Sequence, residues 1–206
     1  MLPPPHHLVA AVPYKYQQSQ LASGWGDPSN ILLNPKDGYY YAAIWNRNQV
    51  GLQAPGICMM RTNHLLDPAS WRAWDGAQYT VRFADPYTLA PGAEAQHICT
   101  VTNLPAGSVE DGCAAHGLFW SEYLQKFVAT LGCDQARTPV FKYATSDDLI
   151  VWSTALDLLT MKQAANISSF VRSGMNYPTF IDPALAGRDR NFGIIGKEPY
   201  LLTIYI

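Results

Sequence analysis

Several features that mark common functional classes are missing from this sequence. There is no excess of basic residues, because the formal net charge is −2 at pH 7, so the composition gives no footprint for nucleic acid or anionic lipid. No apolar run approaches the roughly 20 residues that span a bilayer. The first residues, Met1 to His7, show neither the basic nor the apolar region of a secretory signal peptide. These absences favour a soluble protein whose partner is neither nucleic acid nor membrane, and they leave its compartment unknown.

Motifs for metal ions and for organic cofactors are missing as well. The four cysteines are irregularly spaced and form no CxxC pair, which argues against a zinc knuckle. Disulfides and free buried thiols both fit their positions, which are Cys58, Cys99, Cys113 and Cys133. No histidine stands at a metal-ligand spacing from another His, Asp or Glu, and there is no P-loop, nucleophile elbow or dinucleotide fingerprint. We therefore predict no metal and no cofactor.

One modification motif is present. Asn166-Ile-Ser168 matches the N-glycosylation sequon, and without a signal peptide such a match is usually chance.

Aromatic residues are abundant, and long helical periodicity is scarce. Six Trp, twelve Tyr and seven Phe favour strands, and in clefts such rings also stack on sugar faces. The best helix candidate is 156–165, although this segment also fits a loop with one helical turn. Elsewhere, short β-rich runs are separated by Gly, Pro, Asn and Asp. This pattern predicts an all-β fold.

The β-rich runs recur in two cycles of four and a third cycle of three. An additional run at the front covers 8–16. The first cycle comprises 31–33, 39–45, 56–62 and 70–76, the second 117–120, 126–132, 139–146 and 150–153, and the third 177–183, 191–196 and 200–206. Pro35 suits the second position of the tight turn between the first two runs, and Gly38 supplies the positive φ that closes it.

Repeated four-stranded antiparallel units predict the blades of a β-propeller. We place blades at about 26–76, 113–155 and 175–206, with an inter-blade insertion at 77–112, in a single domain over 1–206. Because closed propellers typically have at least four blades, these units amount to an incomplete ring of about two and a half to three blades. An open ring leaves apolar blade faces in water, so we expect self-association of the chain to complete it. Another antiparallel β fold with Trp-bearing edges is the alternative.

Three stretches carry a family resemblance. Ser146-Asp-Asp-Leu-Ile-Val-Trp152 has the form S-x-D-L-x-x-W, and 62–71 has a longer version of it. The third stretch runs from Tyr177-Pro-Thr-Phe-Ile-Asp-Pro183 to the end of the chain. Together they resemble the five-bladed propeller glycoside hydrolases of the arabinanase/xylosidase and invertase-like superfamily. In that family the Asp of the motif caps a turn, the Leu enters the blade and the Trp packs between blades.

The resemblance implies three acids around a central funnel, near the starts of the innermost strands. They serve as base, as pKa modulator and as general acid, and an inverting pair of carboxyls stands roughly 6.5–9.5 Å apart. The matching positions offer Asp27 in the first unit and Glu110 or Asp111 in the second, whereas the third has no carboxylate. The alternatives are that Asp27-Pro28 opens a turn and that Glu110 and Asp111 lie in a solvated loop.

Further residues are candidates for holding a sugar. Aromatic faces, amides, imidazoles and guanidinium groups all bind sugar hydroxyls or rings, but the same groups commonly serve packing or reach solvent. The candidates are Asn30, Trp45, Arg61, His116, Trp120 and Tyr177. We therefore expect a glycoside hydrolase-like protein that acts on or binds a carbohydrate. The alternatives are a non-catalytic carbohydrate-binding or assembly module and an orphan propeller fragment without independent activity.

Overall fold

The computed structural model describes residues 8–16, 24–46, 48–105, 112–135, 138–167, 175–185 and 192–205. The chain is mostly β, with 43% of residues in strands and 9% in helices, so the all-β prediction is confirmed. The strands of the first half are β1 (Trp25–Gly26), β2 (Leu32–Leu33), β3 (Tyr40–Asn46), β4 (Gly56–Thr62), β5 (Arg72–Trp74) and β6 (Tyr79–Val81). Those of the second half are β7 (Cys113–Ser121), β8 (Lys126–Gln135), β9 (Thr138–Ser146), β10 (Leu156–Thr160), β11 (Met175–Ile181), β12 (Ile194–Ile195) and β13 (Tyr200–Tyr205). One α-helix, α1, covers Met161–Ile167, and short 3₁₀ turns cover Pro68–Ser70, Glu94–His97 and Pro183–Leu185.

These strands form three sheets, which follow chain order except that β12 joins the second sheet. In the first sheet, β1 and β2 both pair with β3, and β4, β5 and β6 follow as an antiparallel meander. In the second sheet, β7 to β10 form an antiparallel meander, and β12 adds to β7 in parallel. The third sheet consists of β11 and β13.

The turn from β2 to β3 forms as predicted. Gly38 has a φ of +74°, and its N–H donates to the carbonyl of Asn34 at 2.9 Å. The side chain of Asn34 accepts a bond from the N–H of Lys36, also at 2.9 Å. The turn residues thus satisfy their own backbone groups, which lets β2 and β3 pair directly.

Apolar faces join the sheets in sequence. Side chains alternate along β3, so that Tyr41 and Ala43 face the second sheet while Ala42 and Ile44 face away from it. The core between the first and second sheets also contains Leu32, Ile57, Met59, Leu118, Trp120, Leu131, Leu149 and Trp152. On its other face the second sheet packs Phe119 and Val128 against Phe180 of β11. The three sheets therefore stack face to face in the order of the chain.

The Ser146–Trp152 motif forms a capped turn with two buried side chains, as the resemblance implies. The carboxylate of Asp148 accepts bonds from the N–H groups of Ile150 and Val151, at 2.9 and 2.8 Å. Leu149 is fully buried, and Trp152 lies in the core between the first and second sheets. The Asp therefore caps a turn, and the Leu and Trp are packed inside.

All four cysteines are paired. Cys58 of β4 is bonded to Cys99, 41 residues away, and Cys113 of β7 is bonded to Cys133, its direct partner on β8. Of the two states that the sequence left open, the structure therefore has the disulfides. The first bond fixes the loop after β6 to the first sheet, where the buried Gln53 side chain also holds both backbone groups of Cys99.

Five details differ from the sequence predictions. The run expected at 150–153 forms only an isolated bridge between Trp152 and Ser146, and β10 is instead the fourth strand of the second meander. The helix expected at 156–165 is a strand, β10, followed by α1, and the front run at 8–16 forms no strand. β6 lies within the expected insertion but extends the first sheet, because it pairs with β5. β12 joins β7 rather than the other strands of its own unit. Within the described residues, no helix is long and apolar enough to cross a membrane.

Candidate functional site

Two of the predicted site residues, His116 and Tyr177, are in contact, and a third, Asp27, interacts electrostatically with His116. They come from segments of three different sheets. Asp27 directly follows β1, His116 lies near the start of β7, and Tyr177 lies near the start of β11. The rings of His116 and Tyr177 are in edge contact, with centroids 5.0 Å apart and planes at 77°. The negative charge of Asp27 acts on the imidazole of His116. We call these three residues the strand-start site.

The imidazole of His116 is held in a partly desolvated position. Burial lowers its pKa below the ordinary value of 6.5, and the charge of Asp27 opposes this shift without cancelling it. The ring lies against Gly132 of β8, where an added Cβ would come within 2.8 Å of Nε2. The lack of a side chain at Gly132 therefore leaves room for the ring. Because its pKa is lowered, the imidazole of His116 is neutral at pH 7 and can both donate and accept a hydrogen bond.

The backbone is unusual at the other two members of the site. Asp27 and Tyr177 have φ angles of +44° and +56°, in the left-handed region that non-glycine residues seldom adopt. Such conformations cost free energy and cluster at functional sites. They set the direction in which the carboxylate and the phenol ring leave the chain.

Tyr177 is fixed by its neighbours and accessible at its ring. It lies where the register of β11 shifts, and its N–H donates to the side chain of Asn176 at 2.9 Å. The hydroxyl of Thr130 on β8 donates to the carbonyl of Pro178 at 2.7 Å, which ties this bulge to the second sheet. Because 45% of Tyr177 is exposed, its ring offers a surface to a ligand.

Asn30 serves the scaffold of this site. Its Nδ2 donates to the carbonyl of Leu118 at 2.9 Å, and its Oδ1 accepts from the N–H of Leu118 at 2.7 Å. Both ends of the amide are thus used to join the segment after Asp27 to β7. Asn30 was predicted to contact sugar, but its contacts assign it to positioning the first two sheets.

The two tryptophan candidates have different surroundings. Trp120 is 8% exposed, packs on Phe127 at a centroid distance of 5.1 Å and has the ammonium of Lys36 over its ring. It offers no free face, because it is part of the core between the sheets. Trp45 is half-buried and pairs in register with Gly26, the residue before Asp27. Its buried Nε1 has no hydrogen-bond partner in the described part of the chain.

Arg61 belongs to a separate cluster of polar and aromatic residues. Its guanidinium stacks on the rings of Tyr39 and Tyr79, at 4.3 and 4.4 Å, and donates to the hydroxyl of Tyr41 at 3.1 Å. Burial, followed by the hydrogen bond to Asp37, raises the pKa of Tyr41 to about 12. In the register of the first sheet Arg61 lies opposite Tyr41, four residues along β3 from Trp45 and so about 13 Å from that end. Its contacts are structural and place it away from the strand-start site.

The remaining catalytic candidates, Glu110 and Asp111, lie outside the described residues. Their assignment stays a prediction. In the segments that the structure describes, no group of three or more His, Cys, Asp and Glu residues is arranged to hold a metal ion.

The sequence analysis missed the residues that support His116 and Tyr177 in this site. Thr130 bonds across to the third sheet, Gly132 leaves room for the His116 ring on the neighbouring strand, and Asn176 accepts the N–H of the next residue. Nothing in the local sequence marks these three residues. The site thus combines one carboxylate, one neutral imidazole and one exposed aromatic ring. No protein-family model, no curated protein and no solved structure matches this chain, so the geometry alone carries the functional argument.

Proposed function

We propose that this chain forms successive blades of a glycoside hydrolase-like β-propeller and binds a carbohydrate at the strand-start site. The observation that carries the proposal is the ring contact of His116 with Tyr177, together with the electrostatic interaction of His116 with Asp27, because these residues come from segments of three stacked sheets. In the resembled propellers, residues near the starts of innermost strands line the funnel. Here His116 and Tyr177 lie near the starts of β7 and β11, and Asp27 lies between β1 and β2.

The stacking of the sheets supports the architectural part of the proposal. Each of the first two sheets is an antiparallel meander, and the motif residues Leu149 and Trp152 fill the core between them. A second apolar layer joins the second sheet to the third. Radial repetition in a propeller requires this alternation of sheets and apolar layers. The parallel pairing of β12 with β7 differs from the purely antiparallel pairing of a propeller blade. We interpret β12 as a short strand added to the edge of the second blade.

The chemistry of the three side chains supports a sugar as the ligand. An exposed tyrosine ring provides an apolar surface for the C–H face of a pyranose or furanose ring. A carboxylate accepts hydrogen bonds from hydroxyl groups, and a neutral imidazole both donates and accepts them. These groups are matched to a polyhydroxylated ring with one apolar face.

Binding is better supported than hydrolysis. Glycosidases of the usual kind need two carboxyl groups, about 5–5.5 Å apart for retention or 6.5–9.5 Å apart for inversion. Asp27 supplies one such group. Hydrolysis is the second candidate, because Glu110 or Asp111 precedes Cys113, the first residue of β7, by only two or three positions in the sequence.

Self-association is a further part of the proposal. Tyr200, Leu202 and Ile204 alternate along β13 and are 64%, 45% and 56% exposed. An apolar strand face of this kind is stabilised when another sheet covers it. A second copy that completes the ring is one way to cover it, and light scattering of the purified chain tests whether it dimerises.

Calorimetric titration with a panel of oligosaccharides tests the proposed function. We expect at least one glycan to bind, and we expect Asp27→Asn and Tyr177→Ala to weaken its binding by at least tenfold. The matched controls are Asp147→Asn and Tyr87→Ala, which alter exposed residues outside the site and should leave the affinity unchanged. If no glycan binds the folded protein, or if the control variants weaken binding as much as the site variants, the proposal is wrong.

Release of reducing ends from the bound glycan separates binding from hydrolysis. Binding without turnover supports a carbohydrate-binding module. Turnover that is lost in Asp27→Asn and in Glu110→Gln or Asp111→Asn supports a hydrolase that uses these carboxyl groups.

A further inference from the structure

The position of Asn166 in the fold supports its sequon as a modification site. Asn166-Ile-Ser168 is the sole Asn-X-Ser/Thr sequence in the 206 residues. Asn166 lies in the last turn of α1 and is exposed. A residue in this position can carry a bulky polar group without displacing packed atoms.

The packing of α1 explains this exposure. Thr160 and Gln163 form a reciprocal cap at its start, with the N–H of Thr160 donating to Oε1 of Gln163 at 2.8 Å and the N–H of Gln163 donating to Oγ1 of Thr160 at 3.3 Å. Ala164 is 3% exposed and packs beside Phe141 of β9. Successive helical residues are rotated by about 100°, so Asn166 stands about 200° around the helix from Ala164, on the outward side.

The disulfides supply the second, independent observation. Both bonds are internal to the fold and together pair all four cysteines. Stable disulfides form in oxidising compartments and are rare in the cytosol. N-linked glycans are attached in the same secretory environment, so the disulfides and the sequon are both expected in a chain that passes through the secretory pathway.

We propose that Asn166 is an acceptor site for an N-linked oligosaccharide. The co-substrate is a polyprenyl pyrophosphate-linked oligosaccharide, and the transferase is supplied by the secretory pathway. Nδ2 of Asn166 bonds to the anomeric carbon of the first sugar, and the bond from that carbon to the pyrophosphate oxygen breaks. The amide loses one proton, and the polyprenyl pyrophosphate is the leaving group. The glycan projects from α1 into solvent.

The full chain, secreted from a eukaryotic host behind a cleavable leader, tests the proposal. We expect peptide N-glycosidase to shift the mobility of the secreted protein and to convert Asn166 to Asp in the peptide mass spectrum. Ser168→Ala should abolish the shift while leaving Asn166 in place, and Ser168→Thr should preserve it. A secreted, disulfide-bonded chain with unmodified Asn166 overturns the proposal.

A second measurement decides the matter if the chain is not secreted. Translation of the same leader-bearing chain in the presence of endoplasmic-reticulum microsomes requires no stable folded product. We expect a glycosidase-sensitive shift for the parent chain and none for Asn166→Gln. The lack of a shift in the parent chain, alongside a control glycoprotein that is modified, contradicts the proposal. Neither test depends on carbohydrate binding at the strand-start site.

Discussion

The side-chain amide of Asn30 is bonded at both ends to the backbone of Leu118, with Nδ2 donating at 2.9 Å and Oδ1 accepting at 2.7 Å. The two residues are 88 positions apart, and the pair joins the segment between β1 and β2 of the first sheet to β7 of the second. This pair resembles one rung of a β-ladder made by a side chain. It fixes the segment that presents Asp27 relative to the strand that presents His116.

Loss of this pair is expected to destabilise the fold. Asn30→Asp replaces the donor with a carboxylate oxygen that faces the carbonyl of Leu118, which leaves that acceptor unpaired. We expect the free energy of unfolding to fall by about 1–3 kcal/mol, as measured by urea denaturation. Asn63→Asp, at an exposed position, is the control and should change it by less than about 0.5 kcal/mol. Equal stability of the two variants would show that the pair does not join the sheets.

A substitution in the core between the first and second sheets is expected to cause a larger loss of stability. Leu149 is fully buried between the first and second sheets, so Leu149→Ala should destabilise the protein by about 2–5 kcal/mol. Val151→Ala, two residues away at a side chain that is 64% exposed, should stay within about 0.5 kcal/mol of the parent. Chemical denaturation of both variants checks this. A small effect at Leu149 would mean that the two sheets do not pack through this motif.

Asp148 is expected to make stability depend on acid pH. Burial opposes ionisation of its carboxyl, but the N–H groups of Val151 and Ile150 and the hydroxyl of Ser146 outweigh it, so the pKa of Asp148 is lowered in the folded state. The unfolded chain then takes up the proton first. The stabilisation is complete above the unfolded pKa of about 3.9 and is lost as the pH falls through the lower folded pKa.

Denaturation midpoints measured from neutral pH to below pH 3.9 test this effect. Asp148→Asn should be less stable than the parent at neutral pH, and the difference should shrink as the pH falls through that window. Glu198→Gln, which removes an exposed carboxylate, serves as the control for overall charge. A difference that stays constant with pH would contradict the assigned cap.

The electrostatic coupling of Asp27 and His116 can be measured directly. Burial lowers the pKa of His116, and the charge of Asp27 raises it, so Asp27→Asn should lower the His116 pKa further. An NMR titration of the imidazole protons gives both values. Asp37→Asn, which lies with the Arg61 cluster, should leave the His116 pKa unchanged. An increase in Asp27→Asn, or no change, would mean that the two residues are not neighbours.

Local patterns predicted the parts of the fold that are held locally. The turn around Gly38 forms as its residues predict, and the capped turn at Asp148 forms as the resemblance implies; both are held within a few residues. The 156–165 segment was assigned wrongly because the apolar residues of β10 fit helical and strand periodicity equally well. The Thr160–Gln163 cap, which places the start of α1, was the overlooked local pattern.

The candidate site was only partly predictable. Asp27, His116 and Tyr177 were identified from their places before or within the strand runs. The fold brings His116 and Tyr177 into contact and places His116 within the electrostatic influence of Asp27. Trp120 and Arg61 could not be excluded from the sequence, because their roles depend on Lys36 and Tyr79, which are distant in the chain. Disulfide pairing and the addition of β12 to β7 are likewise set by contacts between sheets rather than by neighbouring residues.

The most direct test is a glycan titration followed by NMR on the isotopically labelled protein. Resonances of Asp27, His116 and Tyr177 should shift together with the added oligosaccharide, with one common affinity, while those of Arg61 and Tyr79 stay unchanged. If a bound glycan shifts resonances elsewhere and leaves these three unaffected, or if no glycan in a broad panel shifts them, the strand-start site is not a carbohydrate site.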